Sequence, residues 1–188
     1  RNFDTTRSYS NNPSCVGFIS PTDDLLTIFE KDKDLLQSKN ITHDQIADKL
    51  QYIIEKYRQV SDLVRKDAGF KRQHDDKITS LDIDYNIMTK CGFPYGNCTN
   101  SRLQQVLKDI ILIEHSGSQY LILNRSSWGY QCCPFRSPKD KEGVFFGRPA
   151  TGGGDDYWIY DIINGKSLSF NDLHVHMIRE HGFFQGSV

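Results

Sequence analysis

The hydrophobic period of this chain changes near residue 78, and that change limits its fold more than any other feature. Upstream, Ile46, Leu50, Ile53, Ile54, Tyr57 and Val60 recur at three- and four-residue steps, which gathers them into one stripe on a helix. Downstream, Leu81, Ile83, Tyr85 and Ile87 alternate with Asp82, Asp84 and Asn86, the period of a half-buried strand. Helices first and strands second predict an α+β fold: an N-terminal helical hairpin packed on a C-terminal, mostly antiparallel sheet with two short helices.

In the helical half, Ser20-Pro21-Thr22-Asp23-Asp24 supplies a cap, a first-turn Pro and acids at the positive end of a helix dipole. The helix is predicted to run to about Gln37. It buries Leu25, Leu26, Phe29, Leu35 and Leu36 and leaves Lys31, Asp32 and Lys33 on a wet face. Thr42-His43-Asp44-Gln45 is a capping box opening the second helix, which Leu63 and Val64 extend toward Gly69. Residues 70–77 are highly charged and mixed in sign, which predicts an exposed connector.

In the β-rich half, the Gly- and Pro-containing stretch 91–98 predicts a turn, and Thr99 or Asn100 a cap for a short helix with Leu103, Val106 and Leu107. Residues 110–114 and 120–123 flank Ser116-Gly117-Ser118 as a hairpin. Residues 144–146 read as an edge strand between loops at 134–141 and 150–155. The strongest β signal is residues 157–163, Asn164-Gly165, then residues 166–170, because Asn-Gly accepts the positive φ angles of a type I′ turn. Asn171 or Asp172 is expected to cap a last helix through about His181, with Gly182 as its left-handed stop.

At 188 residues the chain is long enough for one ordinary core, so we expect a flexible arm over 1–15 and a single domain over 16–188. Its helical part is expected at 20–68 and its β-rich part at 78–184. A formal charge of −1 lacks the global field that nucleic-acid or anionic-membrane binders carry, and no run reaches the ~20 apolar residues of a membrane span. A protein partner is therefore expected, and neither nucleic acid nor membrane. The start at Arg1-Asn2-Phe3-Asp4 carries no signal-peptide core and no initiator Met, which reads as a soluble, processed or trimmed chain. Five unevenly spaced cysteines, Cys15, Cys91, Cys98, Cys132 and Cys133, point to a reducing, cytoplasmic setting rather than a disulfide framework, with a single Cys91–Cys98 bridge as the alternative. The three Asn-x-Ser/Thr matches at Asn40, Asn97 and Asn124 are too short a pattern to overturn that.

Three sets of residues carry chemistry. Cys98 stands at the predicted start of a helix, where partial positive charge stabilises a thiolate nucleophile. Gly96-Asn97-Cys98 before a helix and a hairpin resembles the nucleophile segment of papain-like and ovarian-tumour-type cysteine hydrolases, over three residues and one helix. That resemblance implies a base histidine, for which His115, His174 and His181 are the candidates. The second set, Cys91, Cys98, Cys132, Cys133, His174, His176 and His181, has ligand chemistry but lacks paired Cys-x-x-Cys knuckles, so no metal is assigned and no cofactor is expected. On an ideal α-helix His174 and His181 share a face while His176 points elsewhere. The third set is the aromatic and basic surface of the β-rich half, with Trp128, Tyr130, Arg148 and Trp158 as binding residues. Gly152-Gly153-Gly154 precedes a strand rather than a helix, so it reads as a connector and not a phosphate loop.

No complete catalytic constellation emerges, and the favoured expectation is a non-catalytic binding or regulatory domain using the loops and aromatic surface of the β-rich half. The alternatives are a cysteine-dependent hydrolase or transferase with Cys98 as nucleophile, and a zinc-stabilised adaptor.

Overall fold

The structure, a computed structural model, describes residues 24–81, 108–131 and 153–184, with the backbone alone for 126–131 and 153–154. It is an α+β fold. Helices α1 (Leu25–Lys39), α2 (His43–Lys66) and α3 (Ala68–Ser80) precede strands β1 (Ile110–His115), β2 (Ser118–Gln131), β3 (Gly153–Asp161) and β4 (Lys166–Asn171). A short α4 (Asp172–His176) continues into a π-helical turn, Met177–His181. The strands lie in one sheet in the order β1-β2-β3-β4. Predicted elements over residues 82–107, 132–152 and 20–23 lie outside the described residues.

Each helix start is fixed by a side chain that takes an orphan backbone donor. Asp24 caps α1 by accepting the Leu26 N–H at 3.1 Å and the Thr27 hydroxyl at 2.7 Å. Those bonds, the Thr27 hydroxyl first, hold its carboxyl below the ordinary range. α1 runs past the expected end to Lys39 and stops where Asn40 turns left-handed, at φ 53°. There the Ile41 N–H donates to Leu36 O at 3.0 Å and the Asn40 N–H to Gln37 O at 3.1 Å, which closes a Schellman motif. The predicted capping box of α2 forms in both directions: the Thr42 N–H donates to Gln45 Oε1 at 2.8 Å, and the Gln45 N–H to Thr42 Oγ1 at 3.1 Å.

Three expectations for the helical half are corrected. Residues 70–77 form most of α3, not an exposed connector: Asp67 breaks α2 in an extended conformation and restarts the helix by accepting the Gly69 and Phe70 N–H groups at 2.8 and 3.0 Å. Lys71 and Asp75 pair along the new helix at 2.8 Å, while His74 and Ile78 of the same helix are buried. Leu81 is the C-cap of this helix and not the first residue of a strand. On α1, Leu26 and Leu35 are 73% and 57% exposed, whereas Asp32, expected on the wet face, is half-buried. The helix rotates about a narrower apolar stripe than a simple count of leucines suggests.

The described residues group into two compact units, one within residues 1–51, 127–154 and 171–188, the other within 52–126 and 155–170. In the first, Leu173, Met177 and Phe183 form a core with Leu25, Ile28 and Phe29 against it. Asn171 opens α4 through a capping box with His174, and Gly182 ends the π turn at φ 63°. The predicted last helix is thus present, but its final turn widens from α to π. One consequence reverses the expected pairing of histidines: residues five apart become neighbours, and the His176 and His181 rings meet edge to face at 5.1 Å.

In the second unit, β1 and β2 form the predicted hairpin, with Ile110 opposite Leu123 and Leu112 opposite Leu121. Its two-residue loop has positive φ at both Ser116 (51°) and Gly117 (79°), the type I′ pattern whose twist suits paired strands. The β3–β4 connection is corrected from a two-residue turn to a four-residue one. Asp161 Oδ1 accepts the Ile163 and Asn164 N–H groups at 3.0 Å each, the Gly165 N–H donates to Asp161 O at 2.9 Å, and only Gly165 has positive φ. The carboxylate of Asp161 therefore selects the turn. Its bonds, the Asn164 side chain first, hold that carboxyl below the ordinary range.

One face of this sheet carries Ile110, Leu112, Leu121, Leu123 and Tyr160, packed with Ile78 of α3. The other carries Tyr157, whose ring meets Tyr57 of α2 edge-on at 5.7 Å and stacks on Phe170 at 5.6 Å. Tyr57 of α2 and Ile78 of α3 thus meet opposite faces of the same sheet.

Candidate functional site

Of the residues singled out by sequence, Cys98 and Arg148 lie outside the described residues, as do Cys91, Cys132 and Cys133. Trp128 and Tyr130 lie on β2. Trp158 is partly buried on β3 and packs against the core cluster of Ile78, Ile110 and Tyr160. His115 ends β1 with both ring nitrogens engaged: the Tyr52 hydroxyl lies 3.0 Å from Nδ1 and the Ser116 hydroxyl 3.0 Å from Nε2. It joins α2 to the hairpin turn and steadies Ser116 in its left-handed conformation. His174 serves the capping box of α4, and His181 is buried beside His176. His115 belongs to the second unit and His174 and His181 to the first.

The first unit holds a smaller polar cluster that the sequence reading did not anticipate. His43 stacks on Phe184 at 5.3 Å, and burial raises the Asp32 carboxyl above its ordinary range against the opposing pull of the Phe184 N–H and the His43 charge. Asp32 Oδ2 and His43 Nε2 are buried with no hydrogen-bond partner. Among the described residues no three His, Cys, Asp or Glu side chains gather as metal ligands.

The second unit holds an open groove of about 290 Å³ whose residues the sequence reading also missed. Its walls follow helical spacing. Tyr52, Lys56 and Val60 lie four residues apart on α2, and Phe70, Gln73, His74 and Lys77 share one face of α3. The third side is β1 at Leu112, Ile113 and Glu114. Val60, Phe70, Leu112 and Ile113 are the apolar part, and Lys56, Lys77 and Glu114 the charged part. Only the α3 wall was present in the sequence, once residues 68–80 are read as a helix.

His74 ties α3 to the sheet. β1 is the edge strand, and its Leu112 N–H, which leads away from β2, donates to His74 Nε2 at 3.1 Å. The imidazole is 6% exposed, and burial first, with Lys71 and Lys77 adding to it, drives its pKa below the ordinary value against the pull of Asp75. The ring is therefore neutral, and because Nε2 accepts from the backbone, its proton sits on Nδ1. That Nδ1 is buried and 3.8 Å from the Asp75 carboxylate, too far for a hydrogen bond. His74 thereby blunts an exposed strand edge and lines the groove at once.

The charged groups are unevenly matched. Lys77 Nζ and Glu114 Oε1 are 3.5 Å apart, both half-exposed. Lys56 Nζ donates to the neutral Gln59 Oε1 at 3.1 Å and lies 5.7 Å from the centre of the Tyr52 ring. Comparison of the chain with protein-family models, with curated proteins and with solved structures finds no match.

Proposed function

We propose that this chain is a non-catalytic binding or regulatory domain and that the groove of α2, α3 and β1 is a recognition surface on it. The observation that carries the reading is the groove itself: an apolar floor with a few convergent polar groups, assembled by three elements. Its one histidine supports contact, since its acceptor nitrogen is already engaged by a backbone bond. On the same reading Trp128 and Tyr130 of β2 are assigned to a second contact area, with a protein as the expected partner. No helix among the described residues is long and apolar enough to cross a membrane.

The test is to titrate the ¹⁵N-labelled chain with phenol and with benzamide. Amide shifts concentrated on Leu112, Ile113, Glu114 and the Phe70, Gln73 and His74 face of α3 are expected. The Val60→Trp variant, which fills the groove, should remove them. Shifts scattered over the surface, or unchanged by Val60→Trp, would contradict the proposal.

A further inference from the structure

We propose that the groove takes a small ligand bearing a single carboxylate on an apolar, preferably aromatic, body. This rests on the groove being a recognition surface and adds the chemical class of what it recognises. The donors and acceptors lining the groove are unequal in number. Lys56 and Lys77 contribute ammonium groups, which only donate, and Glu114 contributes the one carboxylate among the lining residues. Two cations against one anion leave one positive charge, which suits a monoanion. Among the described residues no carboxylate is paired with Lys56, whose bond goes to the neutral Gln59 side chain.

His74 rules against one alternative occupant, an added strand. Its acceptor nitrogen is consumed by the Leu112 N–H. An extended peptide adding to the β1 edge is disfavoured, because His74 already occupies the Leu112 N–H that such a strand would need. The apolar body is set by Val60, Phe70, Leu112 and Ile113. A volume of about 290 Å³ lies at the small end of ligand pockets, which run roughly 300–1,000 Å³.

The experiment compares three probes of one shape, 3-phenylpropionate, 3-phenylpropanamide and 3-phenylpropylammonium, by amide-shift titration of the intact chain. The carboxylate is expected to bind about 5-fold more tightly than the amide, and the ammonium more weakly than both, as partly exposed charge pairs allow. Lys56→Met and Lys77→Met should each weaken the carboxylate about 3-fold and leave the amide within about 2-fold, while Glu114→Gln, which releases Lys77, should tighten it about 2-fold. Raising the salt concentration should weaken the carboxylate alone. Should a lysine variant fail to fold, Glu114→Gln and the salt series decide the matter in its place. Equal binding of the three probes in the groove overturns the carboxylate assignment and leaves the recognition surface standing. Binding by none of them overturns both.

Discussion

Acidification should loosen the contact between α3 and β1 through His74, and the sign follows from the geometry. The folded state holds this imidazole neutral, since Nε2 accepts the Leu112 N–H and burial opposes charge. Its folded pKa is lowered, so its stabilising contribution is complete above the unfolded value of about 6.5 and is lost as pH falls from there through the folded pKa. One proton taken up on unfolding gives a limiting slope of about 1.4 kcal/mol per pH unit inside that window, and no slope outside it. Asp75 opposes the shift while Lys71 and Lys77 support it, so the window is set by groups on α3 as well as by burial. The comparison is urea denaturation of the wild type and of His74→Gln from pH 7.5 to 4.5. Glutamine can offer an oxygen to the Leu112 N–H but does not titrate, so the other five histidines cancel in the difference. The wild type should lose stability relative to His74→Gln below pH ~6.5, with faster hydrogen exchange at the Leu112 amide. A difference that stays constant or grows in favour of the wild type on acidification would refute the neutral, bonded imidazole.

Two further substitutions test the packing. Leu50 is 7% exposed and Leu35 is 57% exposed, so Leu50→Ala should cost about 2–5 kcal/mol and Leu35→Ala less than about 0.5 kcal/mol in the same urea assay. Similar values for the two would contradict the rotation of α1 and the stripe of α2. A single transition for the whole chain in these experiments would agree with one cooperative domain, and two well-separated transitions would count against it. Gly117→Ala should destabilise the hairpin by about 1–2 kcal/mol through backbone alone, because φ is +79° and nothing lies within 4 Å of the added methyl; a neutral result would contradict the type I′ turn.

The sequence made some features legible because they depend on neighbours along the chain. The Thr42 and Gln45 box, the 110–123 hairpin, the cap at Asn171 and the left-handed Gly182 are all local hydrogen-bond or φ requirements. α3 escaped because charge density hid a spacing of four between Phe70, His74 and Ile78, and because the cap at Asp67 follows directly on another helix. The Asn164-Gly165 pair was compatible with two turn types, and a carboxylate three residues earlier than Asn164 chose between them. The meeting of His176 and His181 depends on a π turn, which leaves no mark in a 3.6-residue period. The groove was the least legible, because Lys56, His74 and Glu114 belong to three elements, and a spacing along one element does not tell what stands across from it.

The most direct test of the groove as a recognition surface is an intermolecular NOE experiment with 3-phenylpropionate on the methyl-labelled chain. Contacts are expected from the phenyl protons to the methyl groups of Val60, Leu112 and Ile113, with their loss in Val60→Trp. Contacts confined to methyl groups elsewhere in the chain, or persisting unchanged in Val60→Trp, would contradict it.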